Sequence, residues 1–565
     1  MTLTSEQTTP DYDAVVIGAG ISGLYMLYQL RDMGFRVRGV EASDQVGGVW
    51  NWNRYPGARV DSESETYAYF WNDELMREFD WSERFAAQPE VLRYINRAAD
   101  LMDIRKEYTF NARVARAEWD DKASLWRLGF TDNSHPEMTT RHLVTALGPL
   151  SAPQMPRVPG IEDFRGLSLH TGVWPRDPDS FGPAPLDFKG KRVGIIGTGS
   201  SGVQVIQELS KVAGELTVFQ RSPNWCTPLG NGPLSVEEMA GIKENYADMI
   251  RFLDTTLAGF SHVFIDKSVH EVSAEEREQT FETLYKGPGF SLWLGNYKDI
   301  LFDRAANDLV SEFVARKIRE RVKDQKVADK LIPRDHGYGT RRVPLETRYF
   351  ECYNQPNVHL VDLRETPIEA ITETGLRTSA GAHELDVIIY ATGFDAILGS
   401  WNRIDIRGRG GKPLREAWAD GVKTWMGLQV ADFPNFWMLV GPQNGATFCN
   451  IPRCSAIIVD WLDGLFREIK ASGAEVVEPT PEAADKYTAL CHKLLDLTLI
   501  GETKSWFTGI NKNLDGRDRR EALVWIGGNP KYREFCDKVA SNGYDGFLFD
   551  GAPLASRTST EPQEA

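Results

Sequence analysis

Apolar runs and helical stripes alternate in the first forty residues of the chain. The stretch Asp13–Ile17 is almost entirely apolar, which is typical of a strand buried on both faces of a parallel sheet. Gly34 is placed to end the helix that follows. That helix is predicted from an apolar stripe at 3.6-residue spacing, formed by Ile21, Leu24, Leu27 and Leu30. With a second short run, Arg36–Val40, the pattern predicts a strand–helix–strand unit.

The same pattern returns further along the chain. Arg192–Ile196 and Leu216–Gln220 predict strands, and Gly214 is placed to end the helix between them. The stripe of that helix consists of Val203, Ile206 and Leu209. A repeat of about 180 residues is far too long for a solenoid. The chain is therefore predicted to be an α/β protein with two Rossmann-like domains.

A helical insertion is expected inside the second domain. Ser235 and Ser273 each precede a glutamate by three residues, the capping-box pattern that opens helices. An amphipathic helix is indicated by Leu309, Phe313, Val314, Ile318 and Val322. Strands resume at His359–Val361 and Val387–Tyr390. The predicted division assigns residues 12–150 and 386–550 to the first domain, 151–224 and 333–385 to the second, 225–332 to the insertion, and 1–11 and 552–565 to flexible tails.

Composition limits the classes of function. Of the 565 residues, 42% are hydrophobic and 25% charged, as in ordinary globular proteins, and the formal net charge is −16. That negative charge argues against nucleic acid as a partner. No signal peptide or apolar run of membrane-spanning length is found, and six scattered cysteines match no zinc pattern. We expect reduced, buried thiols, no metal site, a cytoplasmic location, and a monomer or small homo-oligomer.

Two glycine loops carry the first chemical signal. Each has the spacing GxGxxG, follows a predicted strand and opens a predicted helix, the context that marks a dinucleotide site. The first glycine permits a tight turn, the second lets the backbone approach a pyrophosphate, and the third lets helix and strand pack closely. The loops consist of Gly18, Gly20 and Gly23, and of Gly197, Gly199 and Gly202.

The two loops differ at the end of their second strands. Glu41, 23 residues after Gly18, is a carboxylate that suits the ribose hydroxyls of FAD. Arg221, 24 residues after Gly197, is a cation that suits the 2′-phosphate of NADPH. The first site is therefore predicted to bind FAD and the second NADPH. No cysteine precedes Cys226, which argues against a flavin disulfide reductase.

A fingerprint lies just before the second loop. It fits the spacing F-x-G-x3-H-x3-W-P and consists of Phe164, Gly166, His170, Trp174 and Pro175. Here the chain resembles the type I Baeyer–Villiger monooxygenases. The resemblance extends over about residues 12–550 through Gly47–Trp50, Arg54–Asp61, Gly339–Arg342, Ala391–Asp395 and Ser505–Gly509. His170 is expected to act in linker geometry and cofactor motion rather than in proton transfer.

The resemblance implies roles for individual residues. Arg342 matches an essential arginine over the flavin, and Asp61 matches the aspartate that orients it. Arg341, where relatives usually carry lysine, is expected to hold the 2′-phosphate with Arg221. Trp506 matches a tryptophan near the nicotinamide ribose. Further cofactor contacts are expected at Trp50, Asp61, Ser200, Ser222 and Asp395.

The implied activity is conversion of a ketone and O2 into an ester or lactone through a C4a-peroxyflavin, with sulfoxidation as a side activity. Three alternatives stay open: an oxygenase acting on nitrogen or sulfur, a non-catalytic flavin-binding sensor or scaffold, and an NADPH oxidase that releases hydrogen peroxide. The loop Asn444–Arg453 departs from the relatives, so the sequence does not predict which ketone is the substrate.

Overall fold

The computed structural model describes residues 9–511 and 513–554. Its strands are β1 (Tyr12–Ile17), β2 (Val37–Val40), β3 (Tyr108–Thr109), β4 (Val114–Asp120), β5 (Leu125–Phe130), β6 (Met138–Thr145), β7 (Leu167–His170), β8 (Arg192–Ile196), β9 (Glu215–Gln220), β10 (Thr227–Pro228), β11 (Leu345–Glu346), β12 (Val358–Asp362), β13 (Ile368–Thr372), β14 (Gly375–Thr378), β15 (Gly381–Glu384), β16 (Val387–Tyr390), β17 (Asp405–Arg407), β18 (Phe436–Met438), β19 (Val477–Pro479) and β20 (Phe547–Phe549).

The helices are α1 (Ile21–Asp32), α2 (Val49–Trp52), α3 (Asp73–Glu78), α4 (Gln88–Leu101), α5 (Ser200–Leu209), α6 (Val236–Glu244), α7 (Tyr246–Thr255), α8 (Ala274–Lys286), α9 (Ser291–Leu294), α10 (Arg304–Arg321), α11 (Gln325–Leu331), α12 (Tyr349–Cys352), α13 (Gly399–Asn402), α14 (Leu414–Ala417), α15 (Ile451–Ser472), α16 (Pro481–Asp496) and α17 (Asn529–Ser541). Short 3₁₀ turns connect several of them.

The first sheet is mixed and has eight strands. Its order is β17-β4-β5-β6-β1-β2-β3, with β18 also paired to β6. The strands β6, β1 and β2 run parallel, and Val15 of β1 lies opposite Leu143 and Arg38. The predicted strand–helix–strand unit is present as β1, α1 and β2, and Gly34 takes the left-handed conformation (φ +80°) after α1.

The second sheet is parallel throughout, in the order β12-β9-β8-β16-β7. The second predicted unit is present as β8, α5 and β9. One boundary is wrong, however, because β16 pairs with β8 and β7 and so belongs to this sheet. The return to the first domain therefore starts after Tyr390 and not at residue 386. Elsewhere the division into domains stays a prediction.

The segment after β9 is helical, as its capping patterns predict. Ser235 and Glu238 form the complete reciprocal capping box at α6. At α8, Ser273 accepts a hydrogen bond from the Glu276 amide. The longest helix here, α10, turns its apolar face inward through Val310, Phe313, Val314 and Ile318, all buried.

The C-terminal part of the chain completes the first domain. Helix α15 packs on α1, where the hydroxyls of Ser22 and Ser455 lie 2.8 Å apart and Tyr25 donates to the Asp460 carboxylate. The Trp126 indole of β5 donates to the carbonyl of Pro434, just before β18. One hydrophobic core therefore joins residues from both ends of the chain.

Cys449 and Cys454, close together in the sequence, are also close together in the structure, and the other four cysteines are free and buried as expected. One smaller expectation needs correction. Both flexible tails are shorter than predicted, because Asp11 accepts a hydrogen bond from the Thr139 amide and Leu554 is buried. The remainder of both predicted tails lies outside the described residues. Among the residues that the structure describes, no helix is long and apolar enough to cross a bilayer.

Candidate active site

The two glycine loops have the same backbone geometry. Gly18 and Gly197 both have φ of +109°, a conformation that side chains other than hydrogen disfavour. The helices α1 and α5 start directly after extended residues, Gly20 and Gly199. Because these glycines have no capping side chain, the first amide groups of each helix remain available to an anion.

The other glycines of the loops lack a side chain for one of two reasons, close packing of the backbone or access for a ligand. A Cβ on Gly202 would collide with the carbonyl oxygen of Gly197, and one on Gly23 would collide with that of Gly18. A Cβ on Gly199 would meet no atom within 4 Å. The third position is therefore closed by the fold, and Gly199 faces open space of the kind that a pyrophosphate needs.

Glu41 lies at the end of β2 beside the first loop. Its carboxylate accepts hydrogen bonds from the amides of Ala19 (2.7 Å) and Ser43 (2.8 Å), and burial raises its pKa. A carboxylate has about four acceptor positions, so these two bonds fix the group and leave capacity for ribose hydroxyls. The residues present fit the adenosine half of FAD.

Two arginines meet beside the second loop. Arg221 donates to the Asn513 side chain (2.6 Å), and Arg341 pairs with Asp335 (3.0 Å). Partial desolvation, and then the nearby Arg341 cation, lower the pKa of Arg221. Two guanidinium groups in mutual reach repel, and a dianion between them removes that repulsion. The residues present fit a 2′-phosphate. The neighbouring Ser222 carbonyl accepts from the Thr198 hydroxyl.

Arg342 and Asp61 form the ion pair that the sequence predicts, at 2.5 Å between Nη2 and Oδ2. Their side chains are 29% and 32% exposed, so a ligand has access to the pair. The guanidinium lies over the rings of Phe290 (4.7 Å) and Trp293 (5.8 Å). Asp61 follows the first strand–helix–strand unit and Arg342 follows the second, so the pair joins parts of the chain that are 281 residues apart.

Several aromatic residues of this site were not found from the sequence. Ring contacts lead from Trp293 to Phe448 (5.8 Å), from Phe448 to Phe507 (5.1 Å) and from Phe507 to Trp506 (4.2 Å). They place the predicted Trp506 at the far end of an aromatic wall that starts at Arg342. No local pattern separates these rings from ordinary core aromatics, because the wall arises from tertiary packing alone.

The comparisons with known proteins agree with this geometry. A family model described as flavin-binding monooxygenase-like matches residues 13–229. The chain is 46% identical to 2-oxo-Δ3-4,5,5-trimethylcyclopentenylacetyl-CoA monooxygenase of Pseudomonas putida (96% of this chain, 99% of that protein) and 40% identical to a Baeyer–Villiger monooxygenase of Pseudooceanicola batsensis (96% of both). The crystal structure of OTEMO in complex with FAD and NADP aligns with a TM-score of 0.92 at 46% identity, covering 96% of this chain and 100% of that one.

The chain belongs to the type I Baeyer–Villiger monooxygenases. The family, the fold class and the enzyme class predicted from the sequence are thereby confirmed. The individual roles assigned to site residues remain predictions, for which the structure supplies contacts.

In this Baeyer–Villiger monooxygenase the fingerprint forms a connector. His170 Nδ1 accepts the Gly172 amide (2.9 Å), and Nε2 lies 3.3 Å from the Gln154 carbonyl. Burial lowers the pKa of His170, so the ring is neutral with its proton on Nε2. Gly166 lies against the Phe164 ring and Trp174 packs near Phe188. These contacts support the expected structural role of His170.

The linker continues from the fingerprint into the first domain. The Pro175 carbonyl accepts the Ala184 amide, and Arg176 pairs with Asp44 (2.6 Å), three residues after Glu41. An ion pair thus links the residue directly after the fingerprint to the segment that follows Glu41, the residue predicted to bind the FAD ribose.

A C-terminal loop spans both predicted cofactor sites of the enzyme. Asp395 pairs with Arg517 (2.6 Å), and Asn513 accepts the hydrogen bond from Arg221. Trp50, near the first loop, donates to the Tyr67 hydroxyl (3.0 Å). Burial, and then the Asp61 charge, raise the pKa of the neighbouring Tyr55 to about 12. Tyr55 therefore stays neutral, and its hydroxyl donates to the Gln204 side chain (2.7 Å).

Proposed function

We propose that this monooxygenase inserts one oxygen atom of O2 next to the carbonyl group of a ketone, giving an ester or lactone, with NADPH as the reductant. The observation that carries the proposal is the Arg342–Asp61 ion pair, whose guanidinium lies against two aromatic rings. Sulfoxidation is proposed as a side activity.

FAD and NADPH are its cofactors. The loop at Gly18 and Glu41 would hold FAD, and the loop at Gly197 with Arg221 and Arg341 would hold NADPH. When bound, FAD supplies oxygen activation and NADPH supplies a hydride. The protein residues bind, orient and shield them.

Arg342 would stabilise the negative charge that develops on oxygen as the ketone carbonyl is attacked. A guanidinium is cationic at every working pH and does not release its protons under those conditions. It therefore offers charge without acid catalysis. Asp61 would fix its direction, and the rings of Phe290 and Trp293 would restrict its motion and exclude water from one side.

The aromatic wall of Trp293, Phe448 and Phe507 would form one side of the ketone pocket. Rings of this kind bury apolar carbon well, which fits a cyclic or bulky ketone better than a charged molecule. The Pseudomonas putida relative is named for a cyclopentenone attached to coenzyme A. The substrate panel should therefore include both free ketones and a coenzyme A thioester of a ketone acid.

The decisive experiment is product analysis with purified, FAD-loaded enzyme. NADPH oxidation stimulated by a ketone, together with an ester or lactone containing one atom from ¹⁸O2, supports the proposal. An Arg342→Ala variant should retain FAD and NADP⁺ binding and lose ester formation. Normal ester formation by that variant would refute the role of Arg342.

Oxidation at nitrogen or sulfur remains an alternative, and parallel assays with an amine and a sulfide test it. A sensor or scaffold would show no sustained turnover, and an oxidase would return hydrogen peroxide in place of ester. The cytoplasmic location and the monomeric or small homo-oligomeric state are kept as parts of the proposal. Light scattering of the purified protein tests the oligomeric state.

A further inference from the structure

A second carboxylate lies on the same turn as Asp61 and is buried. The side chains of Glu63 and His262 are 9% and 10% exposed, with 3.6 Å between Oε1 and Nε2. Glu63 Oε2 is buried and has no hydrogen-bond partner among the described residues. Neither Glu63 nor His262 is among the site residues that the sequence predicts.

The pair lies behind the aromatic support of Arg342. A Cβ built on Gly289 would lie 3.3 Å from Glu63 Oε1 and 3.4 Å from His262 Nε2. Gly289 is followed by Phe290, whose ring contacts the Arg342 guanidinium. Consecutive residues of one segment thus lie against the two groups, Gly289 against Glu63 and Phe290 against Arg342.

An ionised Glu63 would be poorly compensated in this position. Within the described residues, His262 is its only partner at ion-pair distance, whereas Asp61 already holds Arg342. A buried carboxylate without a cation is strongly disfavoured relative to the neutral acid. The same burial disfavours a charged imidazolium at His262, so the contact is one between two neutral groups.

We propose that Glu63 is a positioning residue that works as a neutral carboxylic acid with His262 as its buried partner, so that Asp61 alone supplies the counter-charge of Arg342. Ionisation of Glu63 would place a second negative charge behind Phe290. That charge would weaken the stabilisation that Arg342 gives to negative charge on the reacting oxygen. This inference rests on the proposed role of Arg342.

The surrounding charges are consistent with a neutral Glu63 near neutrality. The pKa of Glu63 is raised to about 7, chiefly by burial and also by the Glu65 carboxylate, while its own backbone amide, the Ser261 hydroxyl and Arg84 oppose the rise. Burial lowers the pKa of His262 to about 4. Around neutral pH, a small rise in pH is therefore enough to ionise Glu63.

Glu63→Gln in the FAD-loaded full-length enzyme tests the proposal. In the wild type, ester formed per NADPH should fall by about tenfold as the pH rises through the pKa of Glu63, with hydrogen peroxide rising in its place. Glu63→Gln cannot ionise and should keep its acid-side ratio of ester to peroxide at alkaline pH. Glu65→Gln, on the same turn, removes a carboxylate that raises the pKa of Glu63, so it should keep the pH dependence and move its midpoint to lower pH.

Infrared spectroscopy gives a reading that needs no ketone. The wild type at neutral pH should show the carbonyl stretch of a protonated buried carboxyl group, which Glu63→Gln lacks and which alkaline pH removes. His262→Gln, which introduces an amide donor, should move both the band loss and the drop in ester to lower pH.

Either of two results would overturn the proposal: a Glu63→Gln enzyme with the wild-type pH profile, or a wild type without the infrared band. If Glu63→Gln does not fold, the pH titration of the wild-type band and the His262→Gln shift decide the question. Absence of ester at every pH while the infrared band is present would contradict the proposed function and leave the protonation of Glu63 established.

Discussion

The second glycine loop offers a test in which two nearly identical changes should have opposite effects. Gly199→Ala places a methyl group where no protein atom lies within 4 Å, on a backbone with φ of −76° and ψ of −173° that alanine adopts easily. The free energy of unfolding should change by only a few tenths of a kcal/mol. Gly202→Ala pushes a methyl group into the carbonyl oxygen of Gly197. Because backbone faces backbone there, the cost should be about 1–3 kcal/mol or more.

NADP⁺ affinity should also distinguish the two variants, and here the direct loss is expected for Gly199→Ala. If the space at Gly199 holds the NADPH pyrophosphate, its methyl group costs about 1–3 kcal/mol of binding, or roughly 5- to 150-fold in Kd. The assays are thermal unfolding of the FAD-loaded enzyme and calorimetric titration with NADP⁺. FAD content by visible absorbance is the internal control, since the first loop is untouched. Wild-type NADP⁺ affinity in Gly199→Ala, or a wild-type Tm in Gly202→Ala, would refute the reasoning.

Three further predictions concern charged groups. Asp61→Asn should slow ester formation about 10- to 100-fold with little change in NADP⁺ affinity, because Arg342 loses its orienting partner, and steady-state kinetics with titration check this. Arg221→Ala should raise the KM for NADPH about 10- to 100-fold and leave that for NADH unchanged, as Arg221 would contact only the 2′-phosphate. Glu63 should destabilise the fold at alkaline pH. Its pKa rises from 4.5 to about 7 on folding, so no penalty exists below 4.5 and about 3 kcal/mol accumulates as the pH rises to 7. Glu63→Gln should unfold at a higher Tm than the wild type at pH 8 and show no such gap at pH 4, apart from the amide change itself.

The sequence predicts most accurately where chemistry and local geometry coincide. The loops at Gly18 and Gly197 are confined to a strand–turn–helix context, and the first and third glycines of each loop have the steric reason that the spacing predicts. The contact between Arg342 and Asp61, 281 residues apart, was reached only through resemblance to a family. No periodicity or propensity connects two such distant positions.

The misses have physical causes as well. The four residues of β16 look like any buried strand, and their sheet is decided by pairing with β8 and β7, which local sequence does not encode. Phe290 and Trp293 lie in a helical insertion where apolar residues are expected anyway. In the sequence, nothing distinguishes Glu63 from a glutamate on the surface. Only its burial against His262 gives it an unusual protonation state.

The C-terminal part of the chain supplies the last strands of the first sheet, and this has a consequence for folding during synthesis. A ribosome delivers β1, α1 and β6 long before β17, β18 and α15, so the FAD loop emerges while two strands of its sheet and one covering helix are still unsynthesised. The second sheet, completed by β16, has all its strands earlier. We therefore expect nascent chains to acquire the NADP-binding fold before flavin is captured, and chains truncated before Ile451 to expose the surface of α1 and to be cleared as aggregates or protease substrates.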